Sequence, residues 1–71
     1  MKVYKWELRV TVNDIECNDM IQVRKEIVAP DMSLEEAYKF MYLFAMNEWD
    51  KSSLQFRIDH IQKLYLLGFT D

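Results

Sequence analysis

The sequence predicts an α+β fold in which an antiparallel β-hairpin is followed by two α-helices, in the order ββαα. Two patterns support this fold. Apolar residues alternate with polar ones over roughly the first thirty positions, and they recur every three or four positions afterwards. We keep ββαβ as the alternative order. With 71 residues and no internal linker, residues 1–71 are expected to form a single domain.

The hairpin is predicted from strict alternation. Residues 3–12 place one apolar set on a single strand face, and residues from about Met20 to Ala29 do the same on the second strand before Pro30 ends it. The inward residues are Tyr4, Trp6, Leu8, Val10 and Val12 on the first strand and Ile21, Val23, Ile27 and Ala29 on the second.

Charges on the outer face of the hairpin suggest how its strands are aligned. One alignment places Lys5 opposite Glu26 and Glu7 opposite Arg24, whereas the neighbouring one places Glu7 opposite Glu26. Opposite charges facing each other across strands are favourable by about 0.2–1 kcal/mol, and like charges are unfavourable. We therefore predict the first alignment.

The first helix is predicted from Leu34 to Trp49. Ser33 and Glu36 have the spacing of a capping box, and Glu35 and Lys39 form a favourable i,i+4 pair. Its buried stripe is expected to comprise Leu34, Tyr38, Met41, Ala45 and Trp49.

The second helix is predicted from Ser53 to Leu67. The segment Ser52-Ser53-Leu54-Gln55 is typical of a second capping box, and Asp59 and Lys63 are spaced as an i,i+4 pair. The helical stripe would be Leu54, Ile58, Ile61 and Tyr65, with Gly68 as the C-terminal cap. The same segment also alternates at Leu54, Phe56 and Ile58, which is typical of a third strand and is the basis of the ββαβ alternative.

Composition and cysteine content exclude several classes of protein. Hydrophobic residues make up 51% of the chain, charged residues 30%, and the net charge is −3. The single cysteine, Cys17, cannot form an internal disulfide, which favours a reducing, cytoplasmic location. The charged N-terminal segment does not resemble a signal peptide. Residues 38–49 are too short for a transmembrane helix, which needs about 20 apolar residues, so we expect no membrane association.

No motif in the sequence indicates catalysis, a metal or a cofactor. Asp14, Glu16 and Asn18 have the spacing that opens a calcium loop, but the glycine and the final glutamate of such a loop are missing. Cys17 and His60 would form a nucleophile and base only if the fold joined them. We therefore expect a non-enzymatic protein without metal or cofactor.

Surplus apolar residues predict a protein-binding surface. Leu43 and Met46 fall on the outward sector of the first helix, and Phe56 and Leu67 fall off the apolar stripe of the second. Clustered exposed apolar groups mark partner sites. We expect a small interaction module that inhibits or adapts another protein and forms a homodimer. Its compact, acidic single domain also suits a phage or mobile-element protein.

The alternative function is a nucleic-acid-binding regulator that uses the outer hairpin face. Lys5, Arg9 and Arg24 would contact phosphates there. Glu7 and Glu26 lie among these cations, so internal ion pairing explains the pattern more simply. We do not expect nucleic acid to be the main partner.

Overall fold

The computed structural model describes residues 1–70 and has the element order ββαβ. The elements are β1 (Lys2–Asp14), β2 (Asp19–Pro30), α1 (Leu34–Trp49) and β3 (Leu54–Phe69). The three strands form one antiparallel sheet in the order β2-β1-β3, so β1 is central and β2 and β3 are the edges. The predicted ββαα order is wrong, and the alternative ββαβ is the observed one.

The core lies between α1 and the inner face of the sheet. Trp6, Leu8, Val10 and Val12 of β1 are buried as predicted, and Ala37 and Met41 of α1 pack against them. The predicted bounds of α1 are also confirmed. The Glu36 N–H donates to Ser33 Oγ at 3.2 Å, and the Ser33 hydroxyl donates to the Glu36 carboxylate at 2.9 Å. This capping box fixes the start of the helix.

The predicted second helix is instead the edge strand β3. Its apolar residues alternate from Leu54 to Ile58, and the pairing with β1 then shifts by one residue opposite Arg9 and Val10. This β-bulge moves the next inward side chain to Ile61. A strand interrupted by a bulge therefore has the same spacing of three and four residues that predicts a helix.

The contacts expected for that helix are absent from β3 for the same reason. Asp59 and Lys63 are too far apart along an extended strand to pair as they would on a helix. Asp59 accepts hydrogen bonds from Thr11 at 2.5 Å and Arg57 at 2.8 Å. Lys63 reaches Asp31 at 2.9 Å. Gly68 lies within the strand and caps no helix.

The predicted alignment of the hairpin is also wrong, because Glu7 lies opposite Glu26 and Arg9 opposite Arg24. The predicted alignment would leave a two-residue turn at Ile15 and Glu16, where positive φ angles disfavour a β-branched residue. The observed turn spans residues 15–18, and Asn18 adopts a φ of 55°. Arg24 still reaches Glu7 diagonally at 2.5 Å, which relieves the facing like charges.

None of the helical structure in residues 1–70 is both long enough and apolar enough to cross a membrane.

Candidate functional site

The candidate site is an apolar groove between α1 and the edge strand β3. The helix packs over β3 and β1, so one flank of α1 borders the open edge of β3. Several side chains on or beside this flank are exposed, at 68% for Leu34, 51% for Tyr38, 43% for Tyr42 and 66% for Leu43. We define the α1–β3 groove by Leu34, Tyr38, Tyr42, Leu43, Phe56 and Ile58.

Aromatic rings connect the helix to the strand along this groove. The rings of Tyr38 and Tyr42 stack with centroids 6.3 Å apart, and Tyr42 lies 5.4 Å from Phe56. A cavity of about 350 Å³ opens beside Tyr38, Tyr42 and Leu43. A second cavity of about 260 Å³ lies between Tyr38 and Ile58. Both cavities border Tyr38; the first is lined mainly by apolar side chains of α1, whereas the second also borders Asp59 and His60.

The four predicted partner-binding residues occupy different parts of the molecule. Leu43 is exposed on α1, and Met46 is half-buried about one turn further along. Phe56 faces the helix and packs partly against the core, which places it in the groove. Leu67 lies near the far end of β3 and is 47% exposed. The fold thus brings Phe56 close to α1, whereas Leu67 lies well away from Phe56 along the strand.

Sequence reasoning missed Tyr38 and Tyr42 as surface residues. Leu34 and Tyr38 were expected in the buried stripe, because a second helix was expected to cover that flank. The structure places a single edge strand there, which leaves the side chains of Leu34 and Tyr38 more than half exposed. The stack between Tyr38 and Tyr42 follows from their i,i+4 spacing, which was the available signal.

The opposite face of the sheet contains a network of ion pairs around a buried carboxylate. Glu7 is only 4% exposed. Arg24 Nε donates to Glu7 Oε2 at 2.5 Å, and Arg9 Nε lies 3.0 Å from Oε1 without the alignment of a hydrogen bond. The hydrogen bond from Arg24 lowers the pKa of Glu7, although burial acts in the opposite direction. Glu7 is therefore held in its ionised form at neutral pH.

The residues proposed for nucleic-acid binding belong to this face. Arg9 pairs with Glu7, and Arg24 pairs with both Glu7 and Glu26. The predicted group lacked Arg57, which β3 adds to this face in an ion pair with Asp59 at 2.8 Å. An open cavity of about 650 Å³ adjoins all three arginines. Each of the three arginines has a carboxylate partner, so they do not form a cluster of unpaired cations for a phosphate backbone.

The proposed Cys17 and His60 pair is divided between two parts of the sheet. Cys17 is exposed in the turn after β1, whereas His60 lies opposite Arg9 in the middle of the sheet. Asp14 accepts hydrogen bonds from the N–H groups of Glu16 and Cys17 at 3.1 and 3.4 Å, so its carboxylate stabilises the turn. Across residues 1–70, no group of three or more His, Cys, Asp or Glu side chains is placed to hold a metal ion.

Replacing Glu7 with glutamine is expected to reduce the sensitivity of the fold to acid. Because the pKa of Glu7 is lowered in the folded state, its contribution is present above the ordinary carboxyl pKa and is lost as the pH falls through the folded pKa. Thermal unfolding between about pH 6 and pH 3 should show a smaller loss for Glu7→Gln than for the parent chain. The pKa values of Asp31 and Asp59 are also lowered, so the stability of the variant should still depend in part on pH. An unchanged loss would exclude this role for Glu7.

Comparison with protein-family models, curated proteins and solved structures finds no match to this chain.

Proposed function

We propose that this chain is a small, non-enzymatic protein-interaction module that binds another protein through the α1–β3 groove. The observation that carries the proposal is the continuous aromatic surface formed by Tyr38, Tyr42 and Phe56, with exposed Leu43 beside it. Aromatic residues supply large contact areas with few rotatable bonds, and they are enriched at protein interfaces. Inhibition or adaptation of the bound protein would follow from such contact.

Location and assembly are parts of the same proposal. Cys17 is an exposed free thiol, which suits the reducing conditions of the cytoplasm. The open edges of β2 and β3 and the apolar flank of α1 are compatible with a homodimer. The compensated arginines of the outer face argue against nucleic acid as the main partner.

Substituting Leu43 with aspartate should abolish capture of the partner without unfolding the chain. Leu43 is 66% exposed, so the new carboxylate remains solvated in the free protein but would be desolvated in a complex. Tagged wild-type and variant proteins are compared by affinity purification from the native host, and circular dichroism checks the fold. Met46→Asp tests the half-buried neighbour in the same way.

The matched control is Asn47→Asp, which introduces the same carboxylate one turn beyond Leu43 at an exposed polar position. This variant should capture the same proteins as the wild type. If Leu43→Asp also retains every partner that the wild type captures, the assignment of this surface is incorrect.

A further inference from the structure

The direction of the backbone hydrogen bonds shows which groups of β3 remain available at its free edge. The Ile15 N–H donates to the Ser53 carbonyl at 2.8 Å. Bonded and non-bonded pairs alternate along an antiparallel ladder. Gln55 and Arg57 therefore direct their N–H and C=O groups toward β1, whereas Phe56 and Ile58 direct theirs away from it. The β1–β2 ladder supports the same alternation, since the Asp31 N–H donates to the Lys2 carbonyl at 3.0 Å.

The groups that point away belong to the residues whose side chains face α1. Phe56 and Ile58 are both half-buried against the core. A strand added to this edge would pair with these two residues and project the facing side chains to the same side of the sheet. Those side chains would enter the α1–β3 groove beside Tyr38 and Tyr42.

The two edges of the sheet are not equivalent. Beside β3, the helix supplies an apolar wall, and residues 54–58 pair regularly before the bulge. Beside β2, α1 makes no comparable contact, and the inner face of that strand carries the charged side chain of Lys25 opposite Leu8. Charges that point inward on an edge strand discourage pairing with another strand. The edge of β3 is therefore better suited than the edge of β2 to pair with an added strand.

Charges around this edge indicate the chemistry of the incoming segment. Arg57 lies between Phe56 and Ile58 on the outer face, and its side chain is 73% exposed. Both oxygens of Asp59 already accept hydrogen bonds, from Thr11 and Arg57. Arg57 Nη2 donates to Thr11 Oγ1 at 3.5 Å, whereas its Nη1 makes no hydrogen bond within residues 1–70. Lys39, on the helix side of the groove, pairs with Glu35 at 3.9 Å. An acidic side chain on the outer face of an added strand would complement Nη1 of Arg57.

We infer that β3, along residues 54–58, receives an extended segment of a partner protein as an additional antiparallel strand. The segment alternates apolar side chains, which enter the α1–β3 groove, with acidic side chains, which face Arg57. The inference rests on the proposed function, because it specifies how the same groove binds its partner. This mode combines affinity from backbone hydrogen bonds with specificity from alternate side chains.

The test uses a blocked decapeptide in which glutamate alternates with leucine or valine, titrated against the full chain and followed by NMR. Binding should shift the amide signals of Phe56 and Ile58 and slow their hydrogen exchange. A peptide with lysine in place of glutamate should bind about tenfold more weakly. Tyr38→Ala should weaken binding about tenfold, whereas Phe40→Ala, on the other flank of α1, should not change it.

Two further peptides separate strand addition from simple burial in the groove. One peptide carries N-methyl groups on its apolar residues only, and the other carries them on its acidic residues only. Methylation on the apolar positions, which would pair with Phe56 and Ile58, should abolish binding, and methylation on the acidic positions should leave it intact.

Equal binding of both methylated peptides would overturn strand addition while leaving the proposed function in place. Absence of binding by the unmethylated acidic peptide, or equal binding of the lysine peptide, would overturn the inferred partner chemistry. Protection of Phe56 and Ile58 that grows with protein concentration in the absence of peptide would assign the edge to a second copy instead. If affinity purification with the wild-type protein captured no host protein, the proposed function itself would be contradicted.

Discussion

Replacing Trp6 with alanine is expected to lower the free energy of unfolding by about 3–5 kcal/mol. Trp6 is 2% exposed in the central strand and is among the largest fully enclosed side chains of the core. Its removal leaves a cavity between β1 and α1 that the surrounding side chains cannot fill. For a chain of this size, such a loss approaches the whole stability of the fold. Urea titration followed by circular dichroism measures the change.

The matched variant Trp6→Phe should cost much less than Trp6→Ala. Phenylalanine retains most of the buried ring, and it removes the indole N–H, which is buried without a hydrogen-bond partner among residues 1–70. The desolvation penalty of an unpaired polar group, about 1–3 kcal/mol, partly offsets the loss of volume. Equal destabilisation by alanine and phenylalanine would contradict the burial described for Trp6.

Replacing Met41 with alanine is expected to cost about 2–5 kcal/mol, because its fully buried side chain joins α1 to the sheet. The control Leu43→Ala, two residues along the same helix, should change the stability by no more than about 0.5 kcal/mol, since Leu43 is exposed. Urea titration of both variants makes the comparison. If Leu43→Ala were as costly as Met41→Ala, Leu43 would be a core residue and could not form part of a partner surface.

Local signals in the sequence were sufficient for the hairpin strands and α1. Alternation identified the buried face of β1, and the Ser33 capping box located the start of the helix. Both signals depend on residues that are close together in the chain.

The failures occurred where structure depends on long-range pairing or turn geometry. A bulge near Asp59 gave β3 the spacing of a helix, and the hairpin is aligned around a four-residue turn with Asn18 at positive φ rather than by its facing charges. The α1–β3 groove depends on the first of these, because it exists only when an edge strand lies beside Tyr38 and Tyr42. Leu43 was located on the correct outward surface of α1 from periodicity alone.

Residue-specific hydrogen exchange of the free protein, measured by NMR at low concentration, tests most directly whether β3 is an edge strand with an open side. The amides of Gln55 and Arg57 should be protected by β1, whereas those of Phe56 and Ile58 should exchange rapidly. Uniform protection from residue 54 to residue 58 would contradict an open edge beside the groove.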